Sequence, residues 1–177
     1  MIPAAPEIER VLFTEEQIRD RIREVAAEIS AHYQGRDLKL IGVLKGSVFF
    51  LTALARELAI PHKIDFLAIS SFSNKTNAPG LVRIAKDLDD AIEGEDVLLV
   101  EDIVDTGFTA RYLLQTLAGR GPNSLSICTL LDRTSRRIVQ VPVEFCCFEI
   151  PDRFVIGFGL DYKQHYRNLP YIAVMRM

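Results

Sequence analysis

Three carboxylates lie within the stretch VLLVEDIVDTGFTA, residues 97–110, at positions suited to chemistry. The apolar run 97–100 predicts a strand that is buried on both faces. Glu101 and Asp102 follow at its C-terminal end, where a parallel sheet places its ligands, and Asp105 comes three residues later. Carboxylates accept hydrogen bonds from vicinal hydroxyls and attract Mg²⁺. The stretch therefore predicts a site for a polar, hydroxyl-bearing ligand.

The second half of the stretch is typical of a phosphate-binding turn at the start of a helix. Exposed backbone amides at such a turn, together with the helix dipole, favour an anion. Gly107 allows close approach of the backbone, and Thr106 and Thr109 add hydroxyl donors. Taken alone, the turn could also be a solvated helix cap with stabilising acids. A phosphorylated sugar reconciles the two halves, because the turn would hold its phosphate and the acid pair its ribose.

The rest of the chain predicts an α/β fold in which a central, mainly parallel sheet is flanked by helices. Strands are predicted at residues 38–44, 63–70, 82–88, 96–102 and 124–131, and helices at residues 14–33, 47–59 and 109–119. The first helix opens with a capping box between Thr14 and Gln17. Alternating strands and helices favour a parallel sheet. The tail from about residue 140 has short strands and turns and predicts a small hood subdomain within a single domain, residues 1–177.

Composition narrows the class of protein further. The net charge of −3 gives no global positive field for nucleic acid. No stretch is long and apolar enough to span a bilayer and no signal peptide is evident, so we expect a cytoplasmic protein with no membrane partner. The odd cysteine count argues against a disulfide framework. Buried thiols are favoured over a metal pair for Cys146 and Cys147, as for Cys128.

The stretch VLLVEDIVDTGFT closely resembles the phosphoribosyl-pyrophosphate (PRPP) signature of type I phosphoribosyltransferases, and its EDIVDTG form resembles the hypoxanthine-guanine branch. The resemblance extends over about residues 8–175. Five further segments fall in the family's order: GVLKGS, AISSF, LLDRTSRR, FEIPDRFVIGFGLDY and YRNLP. The resemblance implies the type I phosphoribosyltransferase fold. It also implies a reaction of PRPP with hypoxanthine or guanine that gives IMP or GMP and pyrophosphate, with Mg²⁺ as cofactor.

The resemblance implies roles for residues of the PRPP site. Asp105 corresponds to the acid that activates the purine at N7. Glu101 and Asp102 correspond to the residues at the ribose and Mg²⁺, and Asp161 in GLDY to a further Mg²⁺ ligand. The 5′-phosphate would lie against Asp105, Thr106, Gly107, Phe108 and Thr109.

Pyrophosphate and purine contacts follow from the other matching segments. Lys45 and Gly46 resemble a pyrophosphate loop that has a non-proline cis peptide in the family, and Arg167 resembles an arginine that contacts pyrophosphate. The purine would stack on Phe154 and hydrogen-bond the backbone of Val155. Taken singly, these residues have plainer interpretations as solvated cations and apolar core.

The chain departs from the family pattern at two positions. Arg133 stands where the family commonly has a lysine that contacts the purine 6-oxo group, and arginine has a different reach and a planar fork. The preference among hypoxanthine, guanine and xanthine therefore stays open. Residues 70–80 are the candidate mobile lid, and there the usual Ser-Tyr pair is Ser71-Phe72.

Two alternatives stay open at the level of sequence. One is a sibling transferase that uses another base. The other is a PRPP-sensing regulator that keeps the fold and binds nucleic acid, which would need a basic face for which the sequence gives no clear stripe. The family resemblance further implies a homodimer or homotetramer.

Overall fold

The computed structural model describes residues 8–72 and 81–176 of the chain. The strands are β1 (Ile8–Phe13), β2 (Leu38–Leu44), β3 (His62–Phe72), β4 (Leu81–Lys86), β5 (Asp96–Val104), β6 (Ser124–Asp132), β7 (Phe145–Glu149), β8 (Val155–Ile156) and β9 (Ile172–Met175). The helices are α1 (Glu15–His32), α2 (Ser47–Glu57) and α3 (Phe108–Ala118), with a 3-10 turn at Thr134–Arg136.

Six strands form the main sheet in the order β4-β3-β2-β5-β6-β7. Strands β3, β2, β5, β6 and β7 are parallel, and β4 pairs with β3 in the antiparallel sense at one edge. The prediction of a mainly parallel α/β sheet is confirmed. Its physical basis is visible in β2 and β5, most of whose apolar residues are buried because helices cover both faces of the sheet.

The two faces of β5 belong to two different cores. Leu98 and Val100 pack in the cluster that includes α1 and α2, whereas Val97 and Leu99 pack in the cluster that includes α3. This alternation follows from the two-residue period of a strand. Because β5 is clamped between the two cores, the acids at its C-terminal end have a rigid base.

The helix boundaries follow from local sequence chemistry. Thr14 and Gln17 form the predicted capping box at the start of α1, with both reciprocal hydrogen bonds present. Helix α3 begins after Gly107, which has a φ of 90°. A Cβ at Gly107 would overlap the carbonyl oxygen of Val139, so glycine is required both by the left-handed backbone and by this contact. The sequence suggested only approach to a ligand at this position.

A second, three-stranded antiparallel sheet has the order β1-β9-β8, and we call it the hood sheet. It joins the N-terminal strand to two strands from the tail. Strand β7, although it belongs to the tail, lies in the main sheet beside β6. The assignment of residues 1–177 to one domain with a hood stays a prediction.

The predicted lid, residues 70–80, is only partly described. Strand β3 runs to Phe72, but residues 73–80 and the side chains of Ser71 and Phe72 lie outside what the structure describes. Within residues 8–72 and 81–176, no helix has both the length and the apolar character needed to cross a membrane.

Candidate active site

A cavity of about 360 Å³ opens at the C-terminal ends of β2 and β5. It brings together ten of the predicted site residues: Lys45, Gly46, Glu101, Asp102, Asp105, Thr106, Gly107, Thr109, Asp161 and Arg167. We call it the first cavity. Its location agrees with the rule that open parallel sheets place ligands beyond the carboxyl ends of their strands.

The N-termini of two helices meet the first cavity. Helix α2 follows Gly46 and helix α3 follows Gly107, and both glycines line the cavity wall. Among the described residues no side chain caps either helix, so the first-turn amides other than that of Val48, which donates to the Lys45 carbonyl at 3.3 Å, are left for another acceptor. The two helix dipoles also point their positive ends toward the cavity. The cavity therefore favours a ligand with two anionic groups.

Between these helix ends lies the acid pair of β5. Glu101 is only 5% exposed, and burial, followed by the nearby charge of Asp102, raises its pKa well above the ordinary value. Burial also raises the pKa of Asp102 to about 6, against the lowering effects of the Ile103 amide and of Arg167. Both carboxylates therefore gain from a ligand that supplies hydroxyl donors or a cation.

Gly46 and Asp102 are in close approach across the cavity floor. A Cβ at Gly46 would overlap the Asp102 carboxylate, so only glycine fits beside this acid. The peptide bond between Leu44 and Lys45 is cis, as the family resemblance implies. The loop that carries Lys45 and the acid pair of β5 thus form one continuous surface.

A small polar network closes the other side of the cavity. Arg167 Nη2 lies 2.7 Å from Asp161 Oδ1, and Arg167 Nη1 donates to the carbonyl of Gly159 at 2.7 Å. Gln164 links the network to the opposite wall, because its Oε1 accepts hydrogen bonds from Arg167 Nη2 and Lys45 Nζ. The two predicted pyrophosphate-binding cations therefore share one acceptor.

Asp105 lies at the far end of the first cavity, in an ion pair with Arg133. Arg133 Nη1 lies 3.2 Å from Asp105 Oδ2. In the described part of the chain, three buried side-chain polar atoms have no hydrogen-bond partner: Tyr33 Oη, Asp105 Oδ1 and Arg133 Nε. Two of the three thus belong to this ion pair. Buried polar atoms are rarely left unpaired. The unpaired acceptor Asp105 Oδ1 and the unpaired donor Arg133 Nε therefore indicate a position where a polar ligand binds.

A second cavity of about 380 Å³ lies beside Arg133. Its lining includes Arg133, Arg136, Arg153, Phe154 and Met175. The Phe154 ring contacts Tyr162 edge-on, with ring centroids 5.8 Å apart. An aromatic face beside several hydrogen-bond donors suits a flat, polar, aromatic ligand.

Of the predicted site residues whose side chains the structure describes, two line neither cavity. Phe108 is the first residue of α3, and its side chain is 51% exposed. Val155 is buried in β8, paired with Val174 of β9, so any contact to a ligand would involve its backbone.

Three residues of this region were missed by the sequence reasoning: Gln164, Tyr162 and Arg136. Tyr162 directly follows Asp161 and could have been noticed on that ground. Gln164 and Arg136 had no comparable signal, because isolated polar residues in a turn-rich tail are usually solvated.

Cys128 and Cys147 are buried free thiols, whereas Cys146 is a partly exposed free thiol. Burial raises the pKa of Cys146 to about 11 and that of Cys147 to about 12, and it raises the pKa of Cys128 as well.

Among the described residues, no three histidine, cysteine, aspartate or glutamate side chains are grouped as a metal cage. Mg²⁺ does not require such a cage, since it commonly binds one or two carboxylates and substrate phosphates. Asp102 and Asp161 line the same cavity and repel each other electrostatically, so this donor set fits such an ion.

The chain is similar in sequence to known proteins. Residues 12–163 match the family model of the phosphoribosyl transferase domain. A hypoxanthine phosphoribosyltransferase of Salmonella typhimurium is 48% identical over 165 residues, which cover 92% of this chain and 93% of the relative. A hypoxanthine-guanine phosphoribosyltransferase of Mycobacterium avium is 47% identical over 175 residues, which cover 96% of this chain and 86% of the relative.

The fold is shared with solved structures. The crystal structure of a hypoxanthine phosphoribosyltransferase from Staphylococcus aureus superposes with a TM-score of 0.92 at 42% sequence identity. The match covers 96% of this chain and 92% of the other.

Proposed function

The chain belongs to the phosphoribosyl transferase domain family, and we propose from this premise that it transfers the phosphoribosyl group of PRPP to a 6-oxopurine. The products would be a purine nucleotide and pyrophosphate. The two curated relatives described above act on hypoxanthine, or on hypoxanthine and guanine, as their names state. The same bases are proposed as substrates here.

The observation that carries the proposal is the pair of helix N-termini on either side of the acid pair. PRPP has a 5′-phosphate at one end, a pyrophosphate at the other and two ribose hydroxyls between them. The amides of the α3 turn, residues 106–109, would bind the 5′-phosphate. Glu101 and Asp102 would accept hydrogen bonds from the hydroxyls. Lys45, the start of α2 and Arg167 would bind the pyrophosphate.

The purine would occupy the second cavity, with its O6 and N7 edge toward the Asp105–Arg133 pair. The unpartnered Arg133 Nε is a donor and the unpartnered Asp105 Oδ1 is an acceptor. A 6-oxopurine protonated at N7 presents the complementary pattern, an acceptor at O6 and a donor at N7–H. Adenine would place a 6-amino donor against the arginine. Phe154 would stack on the ring, and the Val155 backbone would contact its other edge.

Asp102 and Asp161, with Glu101 beside them, are the proposed ligands of Mg²⁺. When bound, the ion would neutralise charge on pyrophosphate as that group departs. The carboxylates themselves bring negative charge near the ribose, where positive charge builds as the C1–O bond breaks.

Base activation and exclusion of water fall to other residues. Asp105 Oδ1 would accept the N7 proton as the purine N9 attacks ribose C1. Residues 70–80 would act as a lid that keeps water from the electrophilic sugar.

We further propose a single domain with a hood, and a homodimer or homotetramer that light scattering would identify. The cytoplasmic location stays a prediction.

The proposal is tested by offering hypoxanthine, guanine, xanthine and adenine in parallel with PRPP and Mg²⁺. We expect nucleotide from at least one 6-oxopurine, little from adenine, and loss of product with EDTA. Folded protein that binds PRPP but converts none of these bases would contradict the proposal. A PRPP-dependent shift of DNA or RNA in that case would favour a nucleic-acid-binding regulator.

A further inference from the structure

We propose that Arg133 is a positioning residue that locks the carboxylate of Asp105 to the chain segment in front of Phe154. This inference rests on the proposed function, since it concerns how the base-activating acid and the stacking ring are held relative to each other. It assigns Arg133 a second task beside contact with the purine.

The contacts of Arg133 span two parts of the fold. Its Nη1 donates to Asp105 Oδ2 at 3.2 Å, and its Nη2 donates to the carbonyl of Arg153 at 2.7 Å. Asp105 directly follows β5 of the main sheet, whereas Arg153 immediately precedes Phe154 and strand β8 of the hood sheet. One guanidinium thus bridges the general base and the segment that carries the stacking ring.

The backbone of Arg133 is also held in place. The backbone amide of Arg133 donates to the carbonyl of Val104 at 3.0 Å, which ties the residue to the end of β5. The side chain is only 7% exposed, so solvent screens its contacts weakly. A buried guanidinium whose two Nη atoms are both hydrogen-bonded has little freedom to rotate.

Arginine suits this bridge because its two Nη atoms diverge in a rigid plane. A lysine, which the family commonly has here, carries one ammonium group and a flexible stem, so it cannot hold both acceptors in the same fixed geometry. Arg136 also approaches Asp105 Oδ2, at 3.6 Å, but its side chain is 49% exposed and also pairs with Asp152. Arg133 therefore carries the bridge.

The bridge has a direct consequence for catalysis. Because Arg133 engages Oδ2, the other oxygen of Asp105 is left to meet the purine N7. Because the same guanidinium also holds Arg153, it constrains the distance between that oxygen and the Phe154 ring. Loss of either contact would let the base and its activating acid drift apart.

The first test measures amide hydrogen exchange in the free protein. The Arg153 amide donates to Pro151 at 2.8 Å, and the Met175 amide donates to Phe154 at 2.9 Å, so both report on this segment. In Arg133→Lys and Arg133→Gln, we expect exchange at both amides to rise about fivefold or more. Unchanged exchange in both variants would overturn the bridge.

Arg21 offers a matched control. It donates from Nε to the carbonyl of Cys147 at 3.0 Å and from Nη2 to that of Cys146 at 2.9 Å, in β7. Arg21→Lys should leave exchange at Arg153 and Met175 unchanged. An equal rise in this control would show general loosening of the fold and would also overturn the inference.

The second test is a double-mutant cycle on turnover. Arg133→Lys should lower kcat about tenfold in the wild-type background and less than about twofold in Asp105→Asn, because its effect passes through the acid. Equal losses in both backgrounds would overturn the positioning role. The exchange experiment does not depend on enzymatic activity, so it tests the Arg133 bridge even if the wild-type protein forms no nucleotide. Absence of nucleotide formation would contradict only the proposed function.

Discussion

In the proposed site, Asp102 would favour ligand binding at the expense of stability. Its carboxylate lies at the end of a buried strand, near Asp161, and burial raises its pKa to about 6. The folded chain therefore holds the Asp102 proton more tightly than the unfolded chain does. Stability is greatest when the group is protonated in both states, and it falls as pH rises from about 4 to about 6.

Replacement of Asp102 by asparagine should stabilise the free protein above pH 6. The shift corresponds to about 3 kcal/mol, which we reduce to about 1–2 kcal/mol because the side chain is partly exposed. Thermal unfolding at pH 8 should give a higher Tm for the variant, and the difference should vanish below pH 4.

Asp87 is a control, because its pKa is shifted in the opposite direction to that of Asp102. The hydrogen bond from Arg120 lowers the pKa of Asp87, so its charged form is favoured by folding. Asp87→Asn should therefore lower the Tm at pH 8. If Asp102→Asn also lowered the Tm, the Asp102 carboxylate would not be under the electrostatic strain that its raised pKa indicates.

The same titration should affect substrate binding. As pH falls through about 6, protonation of Asp102 removes a charge that would bind Mg²⁺ and accept hydrogen bonds from the ribose. We expect the KM for PRPP to rise below pH 6 while the KM for the base changes less. A PRPP KM that stays constant from pH 7 to pH 5 would contradict this role of Asp102.

At the scale of elements, the start of α3 both packs against a neighbouring segment and lines the first cavity. Gly107 has a φ of 90° and packs against the Val139 carbonyl, and the Thr106 carbonyl accepts hydrogen bonds from the amides of Ile138 and Val139. The proposed phosphate-binding turn is thus held by the segment that follows the 3-10 turn. The sequence predicted the turn but not this support, because residues 138–139 carry no local signal for it.

Gly107→Ala should lower the free energy of unfolding by about 2–4 kcal/mol and weaken PRPP binding. The cost combines a left-handed backbone for a residue with a Cβ and the overlap with Val139. Chemical denaturation and a PRPP binding titration would measure the two effects.

Gly119 is the matched control at the other end of α3. Its φ is −64°, and a Cβ there would make only ordinary contacts, the nearest being 3.5 Å from the Thr116 carbonyl. Gly119→Ala should be neutral or stabilising by about 0.5 kcal/mol. Similar losses for both variants would remove the special status of Gly107.

At the scale of the whole molecule, local patterns predicted the main sheet better than the hood sheet. Strand β2 and helix α1 have continuous or strongly periodic apolar patterns, which single stretches of sequence reveal. Strand β1 was missed, since its pairing with β9 joins residues near opposite ends of the chain. The Gln164 link between Lys45 and Arg167 was missed for the same reason, as it depends on tertiary proximity.

The whole molecule also protects its thiols. Burial raises the pKa of Cys147 to about 12, and Cys128 is fully buried. In native protein at pH 8, we expect iodoacetamide to label neither residue within the time that labels both in denaturant. Rapid native labelling of Cys128 or Cys147, read by mass spectrometry, would mean that the core opens far more readily than its packing indicates.

In the proposed reaction, Asp105 activates the purine within a site that binds PRPP through other residues. The most direct measurement is single-turnover nucleotide formation by Asp105→Asn beside its equilibrium affinity for PRPP. We predict a loss of about 100-fold or more in the rate of the chemical step and a change of less than about threefold in PRPP affinity. Equal losses in both quantities would contradict this account, because Asp105 would then act in binding PRPP and not in activating the base.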